Sequence, residues 1–512
     1  MLRRLLQRWF GLSTHAPVEA GPQALVREGD RLARSGALTV ALERYHAALE
    51  NDPRCLDALL GIGNTLVDAW RLDEAMAAYA RALVIAPQAT AIRSALLFHQ
   101  HYASAIDGPA LFAAHREAAM YWPPVVVDAD QRTVRSPTGR RLRIGYVSPN
   151  FSRHSVGYFI EPVIRNHDRE QFEIFCYYAH PKADDVTARF RAMADAWREI
   201  ADTDGEALAA LIRNDAIDVL VDLAGHSKMN KLAAFAHRPA PLQITWLGYP
   251  DTTGLPAMDL RLTDTIADPP PQADRLNSER LVRIGGGFLC YQPPADSPPP
   301  AAEVNPATAV VFASFNNLAK INLPTVRLWS AILQAVPGSR LVLKSAALDF
   351  TETADRVLEA FEECGVAAGR VELRGWIAQR GAHLQMYEGV DIALDTHPYN
   401  GTTTTCEALW MGVPVVTLAG DVHMARVGAS LLHSAGLDEL IATDSEAYVA
   451  IAVALANDEA RRRTLRTGVR ERLAASALLD HAGFTRKLEQ VYRDYFAGIT
   501  GSKIYEALSP PA

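Results

Sequence analysis

Cysteine is scarce. The 512 residues hold five, Cys55, Cys176, Cys290, Cys364 and Cys406, scattered and odd in number, with neither CxxC nor HxxxH spacing. That excludes a disulfide framework and a structural zinc site, and it fits a reducing compartment. Long apolar runs are missing too: nothing approaches the ~20 residues that a membrane-spanning helix needs. The basic, amphipathic start MLRRLLQRWFGL is interrupted by Arg3, Arg4 and Arg8, which leaves no unbroken apolar centre for a secretory signal. Positive charge is not in excess either. A net charge of -8 and a pI near 6.0 exclude bulk electrostatic binding of nucleic acid as the main activity. The expectation is a cytoplasmic protein without stable membrane insertion and without a nucleic-acid partner. Its 49% apolar and 21% charged residues are those of an ordinary globular protein, and its length allows two or three domains.

What the chain does contain begins with a repeat. ALERYHAALENDP (41–53) and AMAAYARALVIAP (75–87) match position by position: Ala41 with Ala75, Tyr45 with Tyr79, Ala48 with Ala82, Pro53 with Pro87, and Gly29 with Gly63, each pair 34 apart. That is the tetratricopeptide period, in which small residues let paired helices pack closely, an aromatic fills the groove and proline ends the second helix. Two full repeats, roughly 22–55 and 56–89, are expected, with a partial third in ATAIRSALLFHQHYA. The α-helical repeat region is therefore placed at 22–122, after an N-terminal segment, 1–21. Two readings stay open for it: a groove for an extended peptide or partner protein, or a surface for packing and dimerisation, so that a homodimer is compatible with the sequence.

After Pro123 and Pro124 and a polar connector, 123–140, the pattern changes to strands alternating with helices. LRIGYVS (142–148), FEIFCYY (172–178), IDVLVDLAG (217–225) and LQITWLG (242–248) read as buried parallel strands. A proline-rich linker, 293–307, separates them from a second series: AVVFASF (309–315), SRLVLKS (339–345), RVELRG (370–375), DIALD (391–395) and PVVTLAG (414–420). Two doubly wound α/β domains are expected, 141–292 and 308–478, followed by a helix at 479–498 that returns to the first lobe and a tail, 499–512. Ligands of such folds sit beyond the C-terminal ends of the strands.

Those strand ends carry the unusual residues. The first strand is followed by Asn150, His154 and Gly157, the strand at 309–315 by Asn316, Asn317 and Lys320, and RGWIAQRGAH supplies Arg380 and His383. The stretch LDTHPYNGTTTTCEALWMGVP (394–414) runs from a strand through a glycine-containing turn into four threonines and a helix. A helix start gathers N–H groups without intrahelical partners at the positive end of the dipole, and so favours an anion; the plainer reading is that Thr402 to Thr405 cap a core helix. A DxD at Asp128–Asp130 falls in the polar connector and reads as a solvated loop, so no metal is expected. His226 and His237 read as structural. His397 is a candidate by position, and His423 and Arg426 either approach the cleft or serve caps and packing.

RIGYVSPNFSRHSVGYF, RPAPLQITWLGYPDTTGLPAMDLRLTD, FNNLAKI and LDTHPYNGTTTTCEALWMGVPVVTLAGDVHMARVGASLL together resemble the protein O-GlcNAc transferase and SPINDLY family, over roughly 141–497. The resemblance implies a GT-B fold and an inverting, metal-independent glycosyltransferase, which moves a sugar from a nucleotide diphosphate to Ser or Thr hydroxyls of proteins. It implies that Lys320 contacts the donor diphosphate, that Thr402, Thr403 and Thr404 hold the phosphates, and that Glu407 binds the ribose. Arg380 and His383 are similar to residues that line the base pocket, with Ala378 beside the base, and His154 to the active-site histidine. Asn317, Glu407 and Thr402 depart from the glutamine, aspartate and histidine of the animal enzymes, and TTTTCEALWMGVP is closer to the SPINDLY branch, whose plant members use GDP-fucose. The expected donor is UDP-GlcNAc, with GDP-fucose, or another nucleotide sugar as in flagellin glycosylation, as alternatives. A non-catalytic tetratricopeptide scaffold is the alternative of another class.

The chemistry follows from these parts. Breaking the bond between sugar and diphosphate builds positive character on the sugar and negative charge on the leaving phosphate, which Lys320 and a helix N-terminus can stabilise. His154, with an unperturbed pKa near 6.5, could take the acceptor proton or could orient the acceptor while the phosphate takes it.

Overall fold

The computed structural model describes residues 21–122, 139–301, 309–377 and 379–498. The N-terminal segment before Gly21, Asp128 and Asp130 of the connector, residues 302–308 of the linker, Ala378 and the tail after Gly498 lie outside the described residues. Another DxD, Asp202–Asp204, serves a helix cap, with Asp204 accepting from the Ala207 N–H at 2.8 Å. The chain divides into two compact units, Met1–Pro87 and Gln88–Ala512.

Among the described residues the first unit comprises four helices, α1 (Pro22–Arg34), α2 (Leu38–Asn51), α3 (Leu56–Asp68) and α4 (Leu72–Ile85). They are the two expected repeats. The repeated tyrosines are fully buried, and each anchors its hydroxyl on the preceding helix: Tyr45 donates to Asp30 Oδ1 and Tyr79 to Asn64 Oδ1, both at 2.8 Å. The repeated glycines make room for these rings. A Cβ on Gly29 would fall 2.6 Å from the Tyr45 ring, and one on Gly63 would fall 2.3 Å from the Tyr79 ring.

The second unit opens with α5 (Thr90–Gln100) and α6 (Gly108–Ala119). The segment expected as a partial third repeat therefore belongs to the unit that holds the two sheets. Its buried polar side chains explain why, since they find their partners on that unit's loops: Ser94 Oγ lies 3.0 Å from His226 Nδ1, and His101 Nε2 lies 3.2 Å from Asp251. From α6, His115 Nε2 lies 2.7 Å from the Tyr249 hydroxyl.

Two wholly parallel sheets follow. The first comprises β1 (Leu142–Ser148), β2 (Phe172–Tyr178), β3 (Ala196–Glu199), β4 (Val219–Asp222), β5 (Leu242–Thr245), β6 (Leu260–Thr263) and β7 (Arg280–Arg283), in the order β3-β2-β1-β4-β5-β6-β7. The second comprises β8 (Val311–Ser314), β9 (Arg340–Lys344), β10 (Val371–Arg374), β11 (Ile392–Leu394), β12 (Val415–Leu418) and β13 (Ile441–Ala442), in the order β10-β9-β8-β11-β12-β13. This is the doubly wound, two-lobed GT-B arrangement. The strands not anticipated from sequence are short and, apart from β6, lie at sheet edges: β3 (AWRE) and β7 (RLVR) carry charges in place of an apolar run. Strand order reverses between β1 and β4 and between β8 and β11, where a crevice opens beyond the strand ends.

The last helix, His481–Phe496, packs on the first lobe. Phe484 stacks on Trp246 with ring centroids 5.6 Å apart, and Glu489 receives His167 Nδ1 at 2.9 Å. His167 in turn meets the Tyr146 hydroxyl at 2.8 Å, inside the sheet core.

The glycine positions of the repeats give a first test. Gly63→Ala should force the Tyr79 ring out of its groove and destabilise the repeat unit by about 1–3 kcal/mol, the usual cost of overpacking. Gly21→Ala, with nothing within 4 Å of the added Cβ, meets no such clash and should cost at most about 1 kcal/mol, through the helix N-cap alone.

Candidate functional site

The crevice of the second lobe is built from the ends of β8 and β11. After β11 the chain turns through Asp395–Gly401 and enters the helix Thr403–Trp410. Asp395 is buried and fastens the turn, accepting from the Gly401 N–H at 2.6 Å and the Thr417 hydroxyl at 2.7 Å. Burial raises its pKa to about 6, against the lowering effect of these bonds and of Lys320. Gly401 is needed for close approach, because a Cβ there would fall 2.5 Å from Thr404 Oγ1 and 2.9 Å from Asn316 Oδ1. Thr402, the residue before the helix, makes no side-chain cap bond. The threonines therefore do not close the helix start with an N-cap, and first-turn N–H groups stay available to an anion. Thr404 Oγ1 instead donates to Asn316 Oδ1 at 2.9 Å, which ties the turns after β8 and β11 together.

Lys320 ends the short 3₁₀ turn Leu318–Lys320 after β8. Its Nζ donates to the Asn400 carbonyl at 2.8 Å and sits 4.1 Å from the centroid of the Tyr399 ring. Burial lowers its pKa to about 8, and Asp395 opposes that shift. Asp395 and the Tyr399 ring both favour its charged form, and Lys320 supplies positive charge at the crevice floor. Asn317 stands exposed at the same turn, accepting from the Ala319 N–H at 3.0 Å. Its neighbour Asn316 is the one that reaches the threonine helix. The sequence offers two adjacent asparagines, and only the path of the turn after β8 distinguishes them.

Arg380, His383 and Glu407 come together beside the helix. Glu407 is 5% exposed, with Oε2 3.1 Å from His383 Nε2 and Oε1 4.0 Å from Arg380 Nη2. The Arg380 guanidinium lies 3.5 Å from the centroid of the Tyr158 ring, which belongs to the other lobe. Arg380 Nε and Nη2 and His383 Nδ1 are buried with no hydrogen-bond partner among the described residues. Such groups cost about 1–3 kcal/mol each, so three in one place point to a ligand that satisfies them. With Nε2–H facing Glu407, a neutral His383 presents Nδ1 as an acceptor, beside the arginine donors. Donors and an acceptor set among the rings of Phe315, Tyr387 and Tyr158 suit a planar heterocycle with polar edges.

His154 follows β1 in the facing lobe and caps the helix Ser155–Asn166 through Nδ1, which accepts the Val156 N–H at 3.2 Å. The surrounding protein lowers its pKa by desolvation, although the residue is exposed to solvent. Tyr158, one turn along the same helix, is the residue that covers Arg380. His397 occupies the turn after β11, with Nδ1 3.2 Å from the Leu418 carbonyl. His423 and Arg426 join the lobes: His423 Nδ1 lies 2.6 Å from Asp268 Oδ2, and Arg426 Nε donates to the Ile266 carbonyl at 2.7 Å. Ser430 adds a bond to Asp264 at 2.6 Å. His226 is buried between Ser94 and the Thr253 carbonyl, a structural place. Tyr158, Asp395 and Tyr399 are the site neighbours that the sequence did not single out. Asp395 and Tyr399 sit inside the stretch already marked as the anion turn.

The profile of glycosyl transferase family 41 matches residues 126–290 and 302–488. A probable UDP-N-acetylglucosamine–peptide N-acetylglucosaminyltransferase SPINDLY from Solanum lycopersicum is 45% identical over 363 residues, covering 69% of this chain and 38% of that protein. The counterpart from Petunia hybrida is likewise 45% identical, with the same coverage. The chain thus spans about two fifths of the length of these curated relatives. Among solved structures, a mutant O-GlcNAc transferase of Thermobaculum terrenum superposes with a TM-score of 0.85 at 37% identity, covering 97% of this chain and 93% of that one.

The lobe contact also sets a pH dependence. Asp268 is 3% exposed between His423, Arg261 and Thr263. His423 is first among the neighbours that hold its carboxyl well below the usual range against the opposing effect of burial. A depressed carboxyl pKa contributes stability that is present above the unfolded value, near 3.9, and lost as the pH falls towards the folded value. Asp268→Asn should therefore cost about 3 kcal/mol at neutral pH in urea unfolding, and the variant and the parent should converge as the solution becomes strongly acidic.

Proposed function

Since the chain belongs to glycosyl transferase family 41, we propose that it is an inverting, metal-independent protein O-glycosyltransferase, moving GlcNAc from UDP-GlcNAc to Ser or Thr hydroxyls. One observation carries the reading. A partly buried cation, an uncapped helix start and a heterocycle-shaped set of unsatisfied polar groups converge on one crevice. They match the diphosphate, phosphate oxygens and base of a sugar nucleotide. Lys320 and the N–H groups at Thr403 and Thr404 hold the diphosphate, Arg380 and His383 the base, and Glu407 the ribose. The activities named for the similar SPINDLY and O-GlcNAc transferase proteins support UDP-GlcNAc as the donor.

The acceptor oxygen attacks the anomeric carbon from the face opposite the diphosphate, and the bond to the β-phosphate oxygen breaks as charge develops on the leaving group. Lys320 and the helix dipole meet that charge where it forms. His154 is assigned an orienting role. Its Nδ1 lone pair is engaged by Val156 N–H, so the neutral ring carries its proton on Nε2 and donates there. The acceptor proton passes to the departing phosphate. The tetratricopeptide unit contributes to acceptor binding, the protein acts in the cytoplasm, and a homodimer is compatible with this role.

A panel of UDP-GlcNAc, GDP-fucose and other nucleotide sugars should single out UDP-GlcNAc as the one that raises the melting temperature most. A ligand at a hundred times its Kd adds about 2.7 kcal/mol of stability. Stabilisation by GDP-fucose alone would transfer the reading to a protein O-fucosyltransferase, and stabilisation by none would leave a tetratricopeptide scaffold. Lys320→Ala should lower kcat by roughly 10²–10³, the cost of one lost donor to a developing anion. His154→Gln keeps an N–H donor and should hold activity within about tenfold, whereas loss of a general base would cost ~10²–10⁴.

A further inference from the structure

Lys320 is held in a way that its diphosphate role does not by itself require. Its ammonium reaches one protein acceptor, the Asn400 carbonyl, and rests on the face of Tyr399. The Tyr399 ring is itself braced from outside both sheets. Tyr102, 6% exposed and just beyond α5, packs against it at 5.4 Å between centroids with the planes tilted by 30°. Phe98 of α5 meets Tyr102 edge-on at 5.6 Å and so fixes that ring in turn. The segment ahead of the first lobe thus reaches the donor turn of the second.

Resting on the donor-site reading above, we propose that Tyr399, braced by Tyr102, is the positioning residue that presents the Lys320 ammonium to the diphosphate. The electron-rich ring face attracts a desolvated ammonium without taking up its N–H groups as an acceptor oxygen would. One N–H goes to Asn400, and the others remain for phosphate oxygens. The groups facing Lys320 are few: Asp395 from the end of β11, Tyr399 and the Asn400 carbonyl from the turn, and Tyr102 behind Tyr399. Of these only Asp395 is a carboxylate, and its oxygens are already engaged by Gly401 and Thr417. The ring thus acts beside the Asp395 charge, favouring the protonated lysine at contact distance without competing for its hydrogen bonds.

The test is the binding of UDP and of GDP, followed by titration calorimetry from neutral to alkaline pH, so that the identity of the base and the acceptor do not enter. In the parent protein, affinity should fall as the pH passes about 8, where Lys320 loses its proton. Tyr399→Leu, which keeps the bulk but removes the ring face, should bring that fall about one pH unit lower, and Tyr399→Phe should restore it to the parent position. Tyr102→Ala should move it in the same direction as Tyr399→Leu, and Tyr102→Phe should not. Lys320→Ala should bind weakly with no such fall. If the parent and Lys320→Ala bind alike across the range, the donor-site reading fails. If Lys320→Ala loses the dependence while Tyr399→Leu and Tyr102→Ala both keep the parent profile, the positioning role alone is overturned. Should Tyr399→Leu not fold, the two Tyr102 variants separate the same outcomes by themselves.

Discussion

The second lobe depends on one buried carboxylate. Asp395 leaves the end of β11 and draws the following turn back onto itself through the Gly401 N–H, while Thr417 fixes it from β12. Together with the bond from Thr404 to Asn316, that anchor holds the Thr403–Trp410 helix with its first N–H groups facing the crevice. Its charge also opposes the desolvation of Lys320, so the same group shapes the anion site and favours the cation within it. A carboxylate whose own pKa burial raises to about 6 is an expensive anchor. Its persistence in the core makes sense where backbone and cation must be fixed together.

Much of this was legible in the chain itself. The period of 34 defined two helical repeats, and the reason for the paired glycines became clear only when the tyrosine rings were seen to lie against them. The alternation of apolar runs with helical stretches pointed to two parallel sheets, and the strands it missed are short and mostly charged edge strands, where local propensity has little to say. The residues after β1, β8 and β11 were found because loops at strand ends carry function. What could not be read was orientation. Asn316 and Asn317 are neighbours, yet one braces the threonine helix and the other caps a turn. Nor does the sequence show that His154 Nδ1 accepts a backbone N–H. Contacts such as Tyr102 with Tyr399, or Arg380 with Tyr158, join elements far apart in sequence, and no local pattern announces them.

The lobes meet through groups that are polar and nearly all satisfied: His423 with Asp268, Ser430 with Asp264, Arg426 with the Ile266 carbonyl. Such contacts fix register more than they add stability. The unsatisfied polar atoms, donors on Arg380 and an acceptor on His383, lie at the other end of the crevice, where Tyr158 covers the guanidinium. Satisfied groups at one margin and unsatisfied groups in the hollow are what a cleft requires if it is to keep its shape while empty and gain its hydrogen bonds on filling.

The return of the His481–Phe496 helix to the first lobe makes the second lobe, in topological terms, an insertion. Tyr146 of β1 and Trp246 beyond β5 acquire their Tyr492 and Phe484 neighbours only from the far end of the fold. On the ribosome, the lobe that is translated first is therefore the one covered last, because its strands end at Arg283 while its closing helix begins at His481. The surface around Trp246 and Tyr146 must wait uncovered through the synthesis of the whole second lobe, and it needs protection for that interval.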